Sequence, residues 1–345
     1  VQLEKISFDP WGWGRKVKIW FPTINAGSGA DIFTQRLAKA LTRAGCETVI
    51  TWIPHHWELL PRYFRQAPPR GTALIHANSW SAFAFVRHGL PTVATDHGFV
   101  GDPGFALDKR LKQKIYHRLL ISRYVQRSFR ECTAVTAVSN QVAKEIQPHC
   151  PNQVAVIQNW IDTDEFQPAP TMTDRVTFRV LYAGTTAHRK GFDVVQWLAR
   201  QPIPNVELWC PRVLAKHLQG SSAAIHYYEK HAPGDMPSLY AQCDAVLMPS
   251  RYEGFGYVAL EAMACARPVI GFACGGLLEI CGESGGCHLV PVGDKEGLLA
   301  KLLQLAHDPD LLARTGTAGR QRAVDCFGES KAVEAYLSLY RSLLG

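Results

Sequence analysis

The chain has 345 residues, 47% of them hydrophobic and 19% charged, with 37 Lys and Arg against 30 Asp and Glu for a net charge of +7. That length suits two domains of about 150 to 170 residues each, and the composition excludes a largely disordered chain. No apolar run reaches the ~20 residues that cross a bilayer, since the longest, "GYVALEAMACA", contains Glu261.

The opening "VQLEKISFDPWGWGRK" lacks the succession of cationic patch, apolar stretch and small-residue cleavage site, so no secretory leader is expected. Short β-rich runs then alternate with helical periods to the last residue, the pattern of α/β architecture with parallel sheets. In the first series, strands are predicted at 16–22, 48–53, 73–77, 92–96, 134–139 and 153–159, with helices near 30–44, 79–88, 108–130 and 139–147. "DTDEFQPAPTMTDRVTF" has two prolines and no hydrophobic period, and reads as a linker. A second series places strands at 178–184, 206–210, 224–228, 245–250, 268–272 and 287–292. Its helices fall near 191–201, 235–243, 255–265, 274–281, 294–307, 310–325 and 328–344.

Ten cysteines form no CxxC pair, which argues against a zinc ribbon or a redox dithiol. Settings such as "AMACARP" suit reduced thiols acting as small hydrophobes, so a cytoplasmic protein is expected.

The positive charge is uneven: residues 1–165 hold 20 Lys and Arg against 13 acids, while residues 166–345 hold 17 of each. Segment 109–130 has eight cations and no acid, with Leu111, Ile115 and Leu119, then Ile121, Val125 and Phe129, at helical spacing. Such a helix suits an anionic membrane surface or a lipid-linked acceptor, or else packs on its own domain with a solvated basic face.

Ligands of open parallel sheets bind beyond the carboxyl ends of strands, so the loops there come first. In "LMPSRYEGFGYVALEAMA" a strand leads through glycines into a helix whose free amides and dipole favour an anion. Glu261 lies about five residues into that helix, ~7.5 Å along its axis, roughly the step from a diphosphate to its ribose. Glu253, ahead of the helix, would face whatever the far phosphate carries. Taken singly, either glutamate is as readily a solvated residue, but an apolar helix around Glu261 calls for a partner. "YAGTTAHRKGFD" supplies Arg189 and Lys190, cations suited to a diphosphate or to an exposed turn. "NAGSGAD" offers Gly27 and Gly29 without the full GxGxxG spacing. His97 in "TDHGF" can hydrogen-bond a hydroxyl or phosphate, or serve the core. No nucleophile elbow, HExxH, P-loop or acidic metal cluster occurs in the sequence.

Together these loops resemble the GT-B glycosyltransferases, in particular the large retaining family 4. The likeness runs from the glycine loop at 26–30 through "AVSN" and "VIQNWIDTDEF" to the last helix. Its most specific element is Glu253-Gly-Phe-Gly-x4-Glu261, which looks like that family's Glu-x7-Glu motif, flanked by "LYAQCDAVLMPS" and "RPVIGFACGGLLEI". The resemblance implies two Rossmann-like domains facing across a cleft. Residues 1–165 would bind the acceptor and residues 166–327 the nucleotide sugar, with the helix at 328–345 packing back on the first. It further implies that Glu261 holds the ribose and that Glu253 and His97 lie at the transferred sugar. Arg189, Lys190 and the backbone of Gly254, Phe255 and Gly256 would hold the diphosphate, with no metal and no cofactor. Gly27 and Gly29 fall on the flexible first loop, and Thr185 stands where the family often has Arg.

The expected activity is transfer from a nucleotide sugar, UDP before GDP, to the hydroxyl of a sugar or lipid-linked acceptor with retention of configuration, in polysaccharide or glycolipid synthesis. The expected place is the cytoplasm, peripherally at the inner membrane face. Two other readings are a sugar-nucleotide epimerase of the same fold, which needs no acceptor, and a nucleic-acid binder. The second is disfavoured because the cations concentrate in one helix without stacking aromatics.

Overall fold

The computed structural model describes residues 16–99, 101, 120–169, 176–229, 233–283 and 285–345. Two six-stranded parallel sheets organise the chain. The first comprises β1 (Lys18–Ile24), β2 (Glu47–Ile53), β3 (Thr72–Asn78), β4 (Thr92–Asp96), β5 (Ala134–Ala137) and β6 (Ala155–Val156), in the order β2-β1-β3-β4-β5-β6. The second comprises β7 (Phe178–Leu181), β8 (Val206–Pro211), β9 (Ala224–Tyr228), β10 (Ala245–Met248), β11 (Val269–Phe272) and β12 (Cys287–Val290), in the order β12-β11-β10-β7-β8-β9.

Parallel strands are covered on both faces, which is why their sequences run apolar rather than alternating. β10 (AVLM) and β11 (VIGF) are buried at every position, whereas β2, on a sheet edge, is mostly half-exposed. On one face of the first sheet, Phe33, Leu37 and Leu41 of α1 (Gly29–Arg43) pack with Ile19 and Phe21 of β1. The other face carries Trp20, Ile53, Ile75, Phe83 and Phe85.

The remaining helices are α2 (Ser122–Glu131), α3 (Asn140–Ile146), α4 (Phe192–Ala199), α5 (Met236–Gln242), α6 (Tyr257–Ala264), α7 (Gly275–Cys281), α8 (Lys295–His307), α9 (Pro309–Phe327) and α10 (Glu329–Leu344). The last of these leaves the second sheet and returns to the first. Its Val333, Tyr336, Leu337 and Tyr340 join the α1 core, and the Tyr340 hydroxyl lies 2.5 Å from Nδ1 of His76 on β3. Burial of His76 holds its pKa down at about 3, so the ring is neutral and spends both nitrogens on Tyr340 and Thr95.

Four expectations are corrected. The segment at 79–88 forms two 3-10 turns, Ala82–Ala84 and Val86–His88, instead of a helix. Asn78 captures the Trp80 amide, Ser79 bonds Asp96, and Gly89 in the left-handed region ends the second turn, so side chains compete with the helical ladder. The strand at 153–159 shrinks to two residues, because Gln147 takes the Val154 amide. Of segment 109–130, residues 109–119 lie outside the described residues. In the remainder, the Ile121, Val125 and Phe129 stripe is buried in the core and offers no apolar face to a bilayer. Finally, Cys281 and Cys287 form a disulfide that joins the end of α7 to the start of β12, with Cα atoms 5.6 Å apart and so within bridging reach. The other eight cysteines are free thiols, the state expected of most of the ten.

Candidate active site

The carboxyl ends of the two sheets meet. From the first sheet come the loops after β1, β4 and β5; from the second come those after β7, β10 and β11. The closest approach is between backbones: a Cβ on Gly254 would lie 2.0 Å from the His97 carbonyl oxygen. Only glycine permits that contact. Around it, Ser139 donates to the Gly254 carbonyl at 2.6 Å, and the Phe99 amide donates to the Tyr252 hydroxyl at 2.8 Å.

The loop after β10 turns into α6 at Gly256, whose φ of 109° lies in the left-handed region. The amides of Gly254, Phe255 and Gly256 donate to no acceptor among the described residues. They stand at the positive end of α6, where an anion is favoured. The Phe255 side chain contributes nothing to that opening, because it turns into the core against Phe327. Two glycines hold the neighbouring wall close: a Cβ on Gly275 would strike the Glu253 carbonyl, and one on Gly276 the Gly254 carbonyl and Phe255.

Glu253 and Glu261 are each 6% exposed, so the solvated readings of both fail. Glu253 Oε1 accepts from Lys190 Nζ at 2.6 Å and from Ser250 Oγ at 2.7 Å. Lys190 is therefore engaged with a carboxylate. The Glu261 oxygens are held separately: Oε1 accepts from Arg36 Nη2 at 2.7 Å, and Oε2 from the Tyr240 hydroxyl at 2.9 Å. Burial raises the Glu261 pKa, and Arg36 and then Tyr240 oppose it. Arg36 itself lies over the Tyr257 ring at 4.7 Å. An ionised carboxylate has about four lone-pair sites, so two bonds leave acceptor capacity on Glu261.

The other expected residues surround this pair. Arg189 and Lys190 lie on the turn His188–Lys190, clamped by Gly191, where a Cβ would strike the Pro249 carbonyl. The Arg189 carbonyl accepts from the Arg251 amide at 2.7 Å. Thr185 is exposed just before that turn, its carbonyl accepting from Tyr182 at 2.7 Å. Gly27 and Gly29 lead into α1, where Asp31 gathers the amides of Ala26, Gly27 and Ser28 onto one oxygen. Gly29 faces the Tyr257 ring of α6. His97 meets Phe33 edge-on at 4.7 Å, and burial lowers its pKa to about 3, which leaves a neutral imidazole. Its loop is fixed by buried Asp96, which accepts from the Gly98 amide and from Ser79.

Sequence reasoning missed three residues here. Arg36 and Tyr240 hold Glu261, and Glu279 of α7 accepts from the amides of Asn140 and Gln141 at 2.9 and 2.7 Å. Glu279 thereby caps α3 of the opposite sheet. Nothing local marks Arg36, 225 residues away from its partner. The apolar setting of Glu261 showed that it needed a partner but not which one.

The family profile described as "Glycosyl transferases group 1" matches residues 177–308, and that of "Glycosyltransferase Family 4" matches residues 50–165. Alpha-maltose-1-phosphate synthase of Mycobacterium tuberculosis is 27% identical over 310 residues, covering 78% of this chain and 79% of its own. Among solved structures, sucrose-phosphate synthase from Thermosynechococcus elongatus superimposes with a TM-score of 0.77 at 20% identity, over 95% of this chain and 99% of its own. Anabaena HepE, solved with UDP and glucose, gives 0.71 at 17% identity over 95% and 100%. Two parallel sheets meeting at their carboxyl ends are the GT-B arrangement of these neighbours. The two profiles cover well over half of the sequence between them, and the chain belongs to the group 1, family 4 glycosyltransferases.

Proposed function

We propose that the protein transfers a hexosyl group from a UDP sugar to an acceptor hydroxyl with retention of configuration, in the cytoplasm and toward a cell-surface polysaccharide or glycolipid. One observation carries this reading: two buried carboxylates stand on either side of three amides at the start of α6 that have no acceptor among the described residues. In this reading the diphosphate lies on the amides of Gly254 to Gly256 with Arg189, and Glu261 accepts from the ribose hydroxyls. Glu253 orients hydroxyls of the transferred sugar and shares Lys190 with the phosphate beside it. Neutral His97 exchanges a hydrogen bond with the sugar or the acceptor. No metal or cofactor is given a role. UDP is preferred because a neighbour of the same fold is solved with UDP and glucose.

The acceptor attacks from the face the diphosphate leaves. The acceptor oxygen bonds the anomeric carbon as the bond to phosphate breaks, and the departing phosphate oxygen takes the acceptor proton. Arg189, Lys190 and the α6 amides stabilise the developing charge. Glu253→Gln is expected to lower kcat by about 10²–10³-fold, the size seen when one preorganised polar group is lost. The first experiment is a thermal-shift screen of nucleotide sugars, followed by the anomeric configuration of the product. A UDP sugar should raise Tm most and the product should retain configuration. Inversion would overturn the mechanism, and donor turnover without acceptor would replace transfer by epimerisation.

A further inference from the structure

A second charged surface lies away from the cleft. Arg62, Tyr63, Arg65, Arg87 and His88 line an open cavity of about 490 Å³. Arg87 donates to the carbonyls of Arg62 and Phe64, which pins the 61–65 loop over the turn Val86–His88. His88 meets Trp20 edge-on near the amino end of β1, so the cavity sits on the flank of the first sheet and not at the strand carboxyl ends.

Three properties of this cavity ask for a ligand. No carboxylate among the described residues pairs with Arg62, Arg65 or Arg87. Burial, then Arg65 and Arg62, lowers the Arg87 pKa, so like charges gather there with backbone carbonyls, and no carboxylate among the described residues, facing Arg87. His88 Nε2 is buried without a partner. Planar guanidiniums in this number match the oxygens of a phosphate.

The rim of the cavity identifies the source of that phosphate. Leu59, Leu60 and Tyr63 are 52%, 54% and 61% exposed, three large apolar side chains within five residues. The Leu59 carbonyl accepts from Tyr124 at 2.8 Å, so the rim adjoins the start of α2 and is held in place. A soluble anion would use the arginines and leave the rim in water. A bilayer surface uses both, with apolar tips at the acyl boundary and cations at the headgroups.

We propose that the Arg62, Arg65 and Arg87 cavity, with its Leu59, Leu60 and Tyr63 rim, docks the protein on an anionic lipid bilayer through headgroup phosphates. This contact replaces the apolar stripe of α2, which is buried, and it rests on these residues alone, independent of the donor chemistry.

Flotation with vesicles tests it. The protein should float with phosphatidylcholine vesicles containing roughly one third phosphatidylglycerol and not with phosphatidylcholine alone. Arg62→Gln with Arg65→Gln should weaken that binding about thirtyfold, at roughly fivefold per cation near an anionic surface. Leu59→Ser with Leu60→Ser should weaken it while keeping the salt dependence. Unchanged Tm and unchanged UDP binding establish that these exposed variants fold, and they separate a failure here from a failure of the donor site. Absence of flotation, or flotation that the arginine pair does not alter, overturns the proposal. Inorganic phosphate at millimolar concentration should neither raise Tm nor release the protein from vesicles; if it does both, the cavity serves a soluble anion.

Discussion

Glu253, ahead of α6, and Glu261, within it, are carboxylates of equal burial that are satisfied in opposite ways. At the Glu253 end, both partners, Lys190 and Ser250, belong to the second sheet's own loops. At the Glu261 end, the cation comes from Arg36 on α1 of the first sheet. The side-chain partners of Glu253 thus lie within one half of the chain, whereas Glu261 is tied to the other half. A ligand reaching along α6 would meet local chemistry first and the interface between the halves second.

The largest test of that difference is Arg36→Ala. It strands a buried carboxylate and should cost about 3–5 kcal/mol, read as a fall in denaturant midpoint. Lys190→Ala leaves Glu253 with Ser250 and should cost less. If the two variants lose equal stability, the contrast fails. Replacing both members of the farther pair, Arg36→Met with Glu261→Leu, should recover most of the loss.

Next in size is Gly254→Ala, which puts a methyl group into the His97 carbonyl. We expect about 1–3 kcal/mol of overpacking, with the halves forced apart; an unchanged Tm would show that the approach is looser than described. Glu279→Ala removes the cap that α7 gives α3 and should cost about 1 kcal/mol. A separate test concerns acid. His97 has a pKa lowered to about 3 from an ordinary 6.5, so the unfolded chain binds the extra proton between these values. Stability should fall as pH drops below 6.5, and His97→Gln should flatten part of that fall in a Tm profile.

Much of this arrangement was legible in the sequence, because its signals are local. Alternating β and helical periods announced two parallel sheets, and glycines after strand ends marked the loops that meet. The Glu253 end was readable for the same reason, since Pro249 to Gly256 encode strand exit, turn and helix start in eight residues. What escaped was non-local. Arg36 reads as an ordinary polar position of an amphipathic helix until the fold brings it to Glu261. The stripe of Ile121, Val125 and Phe129 has one period whether it meets lipid or core, and only packing decides between them. At 79–88, Asn78 and Ser79 look like surface residues, yet their side chains take up the hydrogen bonds that a helix would need.

In the proposed function Glu261 grips a ribose while Glu253 faces the sugar. Calorimetric titration with UDP and with 2′-deoxy-UDP tests this most directly. Wild-type protein and Glu253→Gln should both bind UDP tightly and lose about 1.5–3 kcal/mol with the deoxy analogue, the worth of a hydrogen bond to a charged group. Glu261→Gln should bind the two ligands nearly alike. If Glu261→Gln still discriminates between them as the wild type does, the ribose lies elsewhere and the assignment of the two glutamates is wrong.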